Sequence, residues 1–236
     1  AVENVLKSYG VSVITGAGLK EIKEGTAVYT KNGEEDTLDG DAILLATGRG
    51  PNTEGLHAER AGVELTKRGA VVTDKHLRTT AENIWAAGDV CGNLQFTYSS
   101  REASRIILSD MQGDGSRTTE NRGAFAYSVF MEPSFSRAGL SEKEAADKGL
   151  NYRVVRMNTD MIPKAKVLRK TTGMLKAVID KDSGKILGAA LFCPESYEII
   201  NMVKLAMDHD LDYTVLRDFI YTHPTMSEGL NDLFAL

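Results

Sequence analysis

The sequence predicts an incomplete α/β segment followed by an α+β region that contains an antiparallel sheet. Three observations indicate this fold class. A helical pattern at the start is followed by short alternating strands. A nearly all-apolar run at 41–47 is typical of a strand buried on both faces. Two strand patterns at 172–180 and 185–192 flank an Asp-Ser-Gly turn and precede an amphipathic helix at 195–208.

The first part of the chain is typical of the second half of a nucleotide-binding domain. Residues 2–9 place apolar side chains on one helical face. The β-branched run at 11–15 predicts a strand, and residues 19–30 alternate as two more. Asn32-Gly33 predicts a tight hairpin. The predicted elements follow one another as helix, strand, meander and buried strand, the last at 41–47. This order is typical of the second half of such a domain.

The middle of the chain contains one more strand and one helix. NIWAAGDV at 83–90 predicts a short buried strand that ends in Gly-Asp. A helix is expected from about residue 99 to 111, and the polar stretch 113–123 predicts a linker. We therefore place a domain boundary near residue 118.

The last part predicts an α+β arrangement. A strand is expected at 126–131, and Ser141 with Glu144 has the spacing of a capping box. The last helix is expected to begin near Thr225. The apolar side of the 195–208 helix is predicted to consist of Ile199, Ile200, Val203, Leu205 and Ala206.

Composition excludes several classes of function. The net charge of −5 argues against a nucleic-acid partner, which needs clustered Lys and Arg. No apolar run approaches the ~18 residues of a membrane span, and no signal peptide is visible at the start. Cys91 and Cys193 lie far apart and suit a reducing cytoplasm. The histidines and cysteines lack metal-ligand spacing, so no metal site is expected.

Two predicted strand ends carry glycines that allow close approach to a cofactor. Thr47-Gly48 closes the first buried run, and Gly88-Asp89-Val90 closes the second. At the second end, the Asp carboxylate suits a sugar or polyol hydroxyl. The alternatives are a glycine that only turns the chain and an Asp that only caps the next segment.

His223 and Glu228 form the sharpest motif, HPTMSE. Pro224 stiffens the chain after the histidine. Five residues on, the Glu228 carboxylate can reach the imidazole, orient it and favour its protonated form, which is how a histidine becomes a positioned base. Thr225 and Glu228 also have capping-box spacing, so a purely structural role for Glu228 is the alternative.

Five segments in this order resemble one family across nearly the whole chain. They are LLATGRGPNTEGL, IWAAGDV, SVFMEPSFSRAGL, TGMLKAVIDKDSGKILGA and THPTMSE. Together they resemble the class I flavoprotein disulfide reductases, which include dihydrolipoamide dehydrogenase, glutathione reductase and mercuric reductase. The ending, from Cys193 to Phe234, is similar to a bacterial branch that contains the reactive-chlorine-resistance and hypothiocyanous acid reductases.

The resemblance implies three pieces of a longer enzyme. Residues 1–47 are expected to end the NAD(P)-binding domain, 48–117 to return to the FAD-binding domain, and 118–236 to form the dimerisation domain. FAD and NAD(P)H are the cofactors of the full-length enzyme and are expected to be absent from this part alone, which is expected to be inactive. A cytoplasmic homodimer that acts on a small-molecule oxidant or disulfide is implied.

The resemblance also assigns roles to single residues. His223 matches the base that acts on the thiol pair of the other subunit, and Glu228 matches its orienting partner. Asp89, with Gly88 and Val90 beside it, matches the flavin-binding stretch. Thr47 and Gly48 match the stretch beside the nucleotide cofactors. The alternatives are a non-catalytic self-association module and a related flavoprotein NADH oxidase.

Some features depart from the family pattern. The chain contains no Cys-x4-Cys pair and no glycine fingerprint for FAD, and both are expected upstream. The tail, NDLFAL, carries no cysteine pair, which counts against mercuric reductase. Gly50 and the stretch Arg101-Glu102-Ala103 differ from the usual residues and put local cofactor contacts in doubt.

Overall fold

The chain divides into two compact units in a computed structural model that describes all residues, 1–236. The first unit is Ala1–Arg49 and the second is Gly50–Leu236. The three-part division predicted at residues 47 and 117 concerns family domains and stays a prediction.

The first unit contains a short helix and a three-stranded antiparallel meander. The elements are α1 (Val2–Ser8), β1 (Ala17–Lys23), β2 (Thr26–Lys31) and β3 (Glu34–Asp39). Lys31 pairs with Glu34 across the predicted turn. Asn32 and Gly33 have φ values of 54° and 86°, as a tight turn with left-handed central residues requires. The predicted helix, meander and hairpin are therefore confirmed.

Two predicted strands of the first unit are wrong. Residues 11–15 and 41–47 form no strand, and the side chain of Leu44 is 89% exposed. A strand exists only where a neighbouring strand completes its hydrogen bonds, and the sheet of this unit pairs β1, β2 and β3 with one another alone. The apolar composition of a run indicates that it can be buried. It does not provide the neighbouring strand with which the run would form hydrogen bonds.

Between residues 50 and 125 the second unit has turns and one long helix. Short 3-10 turns lie at Ala58–Ala61 and Gly88–Cys91, and α2 spans Thr97–Gln112. The predicted helix is thus confirmed and begins earlier than expected. The strand predicted at 83–90 is wrong, because only Trp85 makes a bridge, with Arg78, before the 3-10 turn begins.

Asp110 of α2 binds Arg78 and Trp85 in this irregular part of the chain. We call this contact the Asp110 junction. The Asp110 carboxylate accepts 2.7 Å hydrogen bonds from Nε and Nη2 of Arg78 and a 2.8 Å bond from Nε1 of Trp85. Hydrogen bonding to the Arg78 guanidinium holds the pKa of Asp110 below its usual range, against the effect of desolvation. The charged carboxylate therefore stabilises the junction.

A five-stranded antiparallel sheet organises the remainder, with strand order β4-β5-β8-β7-β6. The confirmed antiparallel sheet and its helices establish the α+β class for this part. The strands are β4 (Ala126–Val129), β5 (Phe135–Gly139), β6 (Tyr152–Asn158), β7 (Met174–Asp180) and β8 (Ile186–Phe192), and the helices are α3 (Glu142–Asp147), α4 (Pro163–Leu168), α5 (Ser196–Asp208), α6 (Thr214–Arg217) and α7 (Gly229–Ala235).

The capping box of α3 is confirmed. The Ser141 hydroxyl accepts a 3.2 Å hydrogen bond from the Glu144 amide, and the Glu144 carboxylate accepts a 2.7 Å bond from the Ser141 amide. Hydrogen bonds from Ser141, together with Arg137, lower the pKa of Glu144 to about 2. The start of α3 is therefore fixed by its own sequence.

The core is formed by the sheet together with α5 and α7. Leu205 was expected on the apolar side of α5 but is 59% exposed, so that assignment is wrong. At about 100° per residue, position 205 falls on the side of the helix opposite to the buried set. The buried α5 residues are Ile199, Ile200, Val203 and Ala206.

Candidate functional site

His223 and Glu228 are in contact. Nδ1 of His223 lies 3.1 Å from each carboxylate oxygen of Glu228. The imidazole is 72% exposed, whereas the Glu228 side chain is only 13% exposed. A carboxylate only accepts hydrogen bonds, so the neutral ring carries its proton on Nδ1 and leaves the lone pair on Nε2. The contact that the spacing predicts is present, and the catalytic role stays a prediction.

Thr225 holds the Glu228 carboxylate in place. Oε2 of Glu228 accepts a 2.9 Å hydrogen bond from the Thr225 amide, and the Glu228 amide donates to the Thr225 hydroxyl at 3.3 Å. That hydroxyl in turn donates to the carbonyl of Thr222 at 2.8 Å. Thr225 and Glu228 thus exchange two hydrogen bonds in the turn before α7, and the same carboxylate faces the imidazole. They do not cap α7, because its N-cap is Glu228 itself and no side chain caps this helix.

The turn that carries this pair is anchored to the core. Met226, in the middle of the turn, is 1% exposed. The last helix begins at Gly229 rather than near Thr225, which corrects the predicted start. A Cβ atom at Gly229 would lie 2.8 Å from Cδ1 of Ile162, which is fully buried. Glycine is needed there because the backbone approaches the core so closely.

Gly88, Asp89 and Val90 lie in a 3-10 turn of the second unit instead of at a strand end. Gly88 has a φ of 79°, and a Cβ there would meet the Ser100 hydroxyl at 2.8 Å. The glycine therefore lets the turn pack against the first turns of α2, and the half-buried Asp89 follows it directly. A positive φ and a close packing contact explain why glycine occupies position 88.

Thr47 and Gly48 belong to the first unit and lie outside regular secondary structure. Both are exposed, and Gly48 has a φ of 117°. The strand that was expected to end at Thr47 is not formed. The positive φ of Gly48 is a conformation that favours glycine, but the structure defines no site around these two residues. Their role beside a cofactor stays a prediction.

Neither cysteine has the environment of a redox thiol. Burial raises the pKa of Cys193 to about 12, and burial also raises the pKa of Cys91. Both thiols are free. These thiols are therefore protonated at neutral pH, as packing residues are.

Two further properties of the chain concern membranes and metals. Among its helices, none combines the length and apolar character that a bilayer crossing requires. No group of three or more His, Cys, Asp and Glu side chains is arranged to hold a metal ion.

Two family models match the chain. The model described as pyridine nucleotide-disulphide oxidoreductase matches residues 1–104, and the model of the dimerisation domain of the same proteins matches residues 125–234. The chain belongs to the pyridine nucleotide–disulphide oxidoreductase family. This membership confirms the fold class and the family resemblance inferred from the sequence.

The relatives of the chain include members of the expected branch. The probable pyridine nucleotide-disulfide oxidoreductase RclA of Escherichia coli is 46% identical over 235 residues, which are 100% of this chain and 53% of the relative. Mercuric reductase of Staphylococcus aureus is 34% identical, with 98% of this chain and 43% of the relative covered. The chain therefore spans about half the length of the curated relatives it matches.

A solved structure gives the same picture. The HOCl-induced flavoprotein disulfide reductase RclA from Escherichia coli superposes with a TM-score of 0.90 at 45% identity. The superposition covers 100% of this chain and 54% of that one. The resemblance to the reactive-chlorine branch is thereby confirmed.

Proposed function

We propose that the chain is the carboxyl-terminal part of an FAD-dependent NAD(P)H:disulfide oxidoreductase, to which it supplies a proton-transfer pair and a homodimer interface. The observation that supports this most directly is the contact between His223 and Glu228, with Nδ1 held 3.1 Å from both carboxylate oxygens. Such a contact leaves Nε2, on a mostly exposed ring, ready to exchange a proton with an incoming group.

The proton chemistry follows from these two side chains. Nε2 of His223 accepts the proton of a thiol, which leaves a thiolate able to attack an oxidant or a disulfide. The imidazolium that results is stabilised by the adjacent Glu228 carboxylate. Nε2 then returns the proton to the reduced product. The Glu228 carboxylate accepts the hydrogen bond from Nδ1 and so keeps the proton of the neutral ring on that atom.

Gly88, Asp89 and Val90 are the residues we assign to FAD. These residue types suit one edge of this cofactor, because the Asp89 carboxylate can accept hydrogen bonds from polyol hydroxyls. Thr47 and Gly48 are assigned, from the family resemblance, to the stretch beside the nucleotide cofactors. FAD, when bound, supplies the two-electron step between NAD(P)H and the disulfide.

Exposed apolar side chains support a second copy of the chain as partner. Phe130 is 99% exposed and Ile220 is 93% exposed. Ile220 lies three residues before His223, so a copy that covers it also approaches the site. We assign both side chains to the interface because they lie within residues 125–234, which the dimerisation-domain model matches. The two free cysteines suit the cytoplasm, where we place the enzyme.

The relatives narrow the substrate class. RclA of Escherichia coli is described as an HOCl-induced flavoprotein disulfide reductase. By similarity we propose a small-molecule oxidant or disulfide as the substrate. A thiolate relay of the kind that His223 serves suits such electrophilic substrates.

Substitution of His223 in the whole enzyme tests the proposal. We expect His223→Ala to lower turnover with oxidant by about 10²–10⁴-fold, the usual contribution of a general base, while the flavin absorbance band is retained. His209→Ala is the matched control, since His209 lies at the end of α5. Normal turnover in His223→Ala would remove the proposed role.

A further inference from the structure

Asn231 binds the backbone that leads into His223. Its side-chain Nδ2 donates to the carbonyl of Arg217 at 2.6 Å, to that of Phe219 at 3.0 Å and to that of Leu216 at 3.2 Å. Two of these carbonyls belong to the end of α6, where carbonyls have no partner within the helix. Asn231 thus caps α6 from a different helix, α7.

The stretch that follows α6 has a few further contacts: Tyr221 packs against the core, and the Thr222 carbonyl accepts a 2.8 Å hydrogen bond from the Thr225 hydroxyl. Residues 218–222 form no helix or strand. Tyr221 adds one contact, because its hydroxyl donates to the Leu216 carbonyl at 3.1 Å. The ring of Tyr221 also meets the edge of Phe219, with centroids 4.9 Å apart. Asn231 therefore links this segment to α7 through the Phe219 carbonyl, and it holds the end of α6 through the Leu216 and Arg217 carbonyls.

Asn231 and Glu228 act from the same helix start. The Asn231 amide donates to the Glu228 carbonyl at 3.0 Å, so the two residues share one rigid turn. Helix α7 is itself fixed by Leu230, Leu233 and Phe234, which are almost completely buried. Glu228 therefore fixes the imidazole, and Asn231 fixes the backbone that delivers it.

We propose that Asn231 is a positioning residue for His223. It keeps the segment from Leu216 to Phe219 against α7, and so sets the distance between Nδ1 of His223 and the Glu228 carboxylate. The proposal rests on the proposed function of His223 for its biological meaning. The structural part of the proposal is that the position of the His223 ring depends on Asn231. That part can be tested independently of the proposed function.

The tautomer of His223 in this 236-residue chain tests the inference. An unconstrained neutral imidazole favours the proton on Nε2, whereas the Glu228 contact requires it on Nδ1. We would measure ring ¹⁵N chemical shifts by NMR over a pH series and read the tautomer ratio from the alkaline end point. Asn231→Asp keeps the shape but removes the donor, and Asn231→Ser retains one hydroxyl donor.

The expected result is a shift of the tautomer ratio toward the Nε2-protonated form by about tenfold in Asn231→Asp and by less in Asn231→Ser, as loss of one to two net hydrogen bonds produces. Asn201→Asp is the matched control, because Asn201 lies on α5 and its Nδ2 donates only to the Tyr197 carbonyl at 3.0 Å. An unchanged ratio in both folded Asn231 variants would overturn the inference.

Kinetic measurements on variants of the whole enzyme distinguish a failure of this inference from a failure of the proposed function. We expect Asn231→Asp to lower kcat by about tenfold with KM and flavin content unchanged. If His223→Ala retains turnover while Asn231→Asp changes the tautomer, the proposed function fails and the positioning role stands. If His223→Ala is inactive but the tautomer and kcat of both Asn231 variants match the wild type, the positioning role fails alone.

Discussion

Both carboxylate oxygens of Glu228 lie 3.1 Å from Nδ1 of His223, and one of them also accepts the amide of Thr225. The carboxylate is mostly buried, whereas the imidazole is mostly exposed. A buried acceptor that is fixed by the backbone defines the direction of an exposed ring. The pair is thus rigid at the carboxylate and open at Nε2, the atom that exchanges protons.

Removing the charge of Glu228 should distinguish its effect on the His223 ring from its effect on the stability of the fold. Glu228→Gln keeps an oxygen for the Thr225 amide but loses the charge that stabilises the imidazolium. We expect turnover of the whole enzyme to fall by about 10–100-fold, with flavin content and melting temperature nearly unchanged. Steady-state kinetics measures the effect, and Glu198→Gln on the exposed side of α5 is the control. Turnover equal to that of the control would leave Glu228 only its structural bonds to Thr225.

The close contact between Gly229 and Ile162 should make position 229 intolerant of a side chain. In Gly229→Ala the new methyl group would meet Cδ1 and Cγ1 of Ile162 at 2.8 and 2.9 Å. We expect a loss of about 1–3 kcal/mol in the free energy of unfolding, as overpacking of a core produces. Urea denaturation measures it.

A double variant tests the cause of that loss. Ile162→Val removes Cδ1, so Gly229→Ala should cost less in the Ile162→Val background than in the wild type. The free energies of unfolding of the four proteins give the coupling between the two positions. If Gly229→Ala costs the same in both backgrounds, the contact with Ile162 is not the source of the strain.

The Asp110 junction should respond to acid. Because the pKa of Asp110 is lowered in the folded chain, its contribution to stability is present above the pKa of the unfolded state, 3.8, and is lost as the pH falls through the lower folded value. Asp110→Asn should therefore be less stable than the wild type at neutral pH, and this difference should shrink below about pH 4.

Trp85 reports on this junction directly. It is the only tryptophan of the chain, and its Nε1 donates to Asp110 at 2.8 Å. Thermal melts followed by Trp85 fluorescence from pH 7 to pH 2 would measure the difference, with Asp147→Asn on the exposed side of α3 as the control. A difference between wild type and Asp110→Asn that stays constant with pH would contradict the assigned role of the carboxylate.

The sequence allowed local features to be predicted well. The Asn32-Gly33 hairpin, the Ser141–Glu144 capping box and the contact between His223 and Glu228 each depend on residues less than six positions apart. For such features, spacing and side-chain chemistry determine the geometry. The family resemblance added the order of the domains, which no single motif indicates.

Other features could not be predicted, because they depend on partners distant in sequence. The runs at 11–15 and 41–47 have the composition of strands but no neighbouring strand within their unit. Leu205 was misplaced because an apolar residue within an amphipathic helix was assumed to face the core. Asn231 belongs to no motif, and its role is visible only where α7 meets the end of α6.

Ile220 offers the most direct test of the proposed homodimer. It is 93% exposed, it lies on the stretch that Asn231 and Tyr221 hold against α7, and it precedes His223 by three residues. If a second copy covers this stretch, Ile220→Lys places a charge in a desolvated contact, and the chain should shift from dimer to monomer at micromolar concentration.

Light scattering coupled to size exclusion measures the mass. Leu38→Lys, at an exposed position of β3 in the first unit, is the control and should leave the mass unchanged. A dimer that persists in Ile220→Lys would contradict the proposed coverage of this stretch by a second copy.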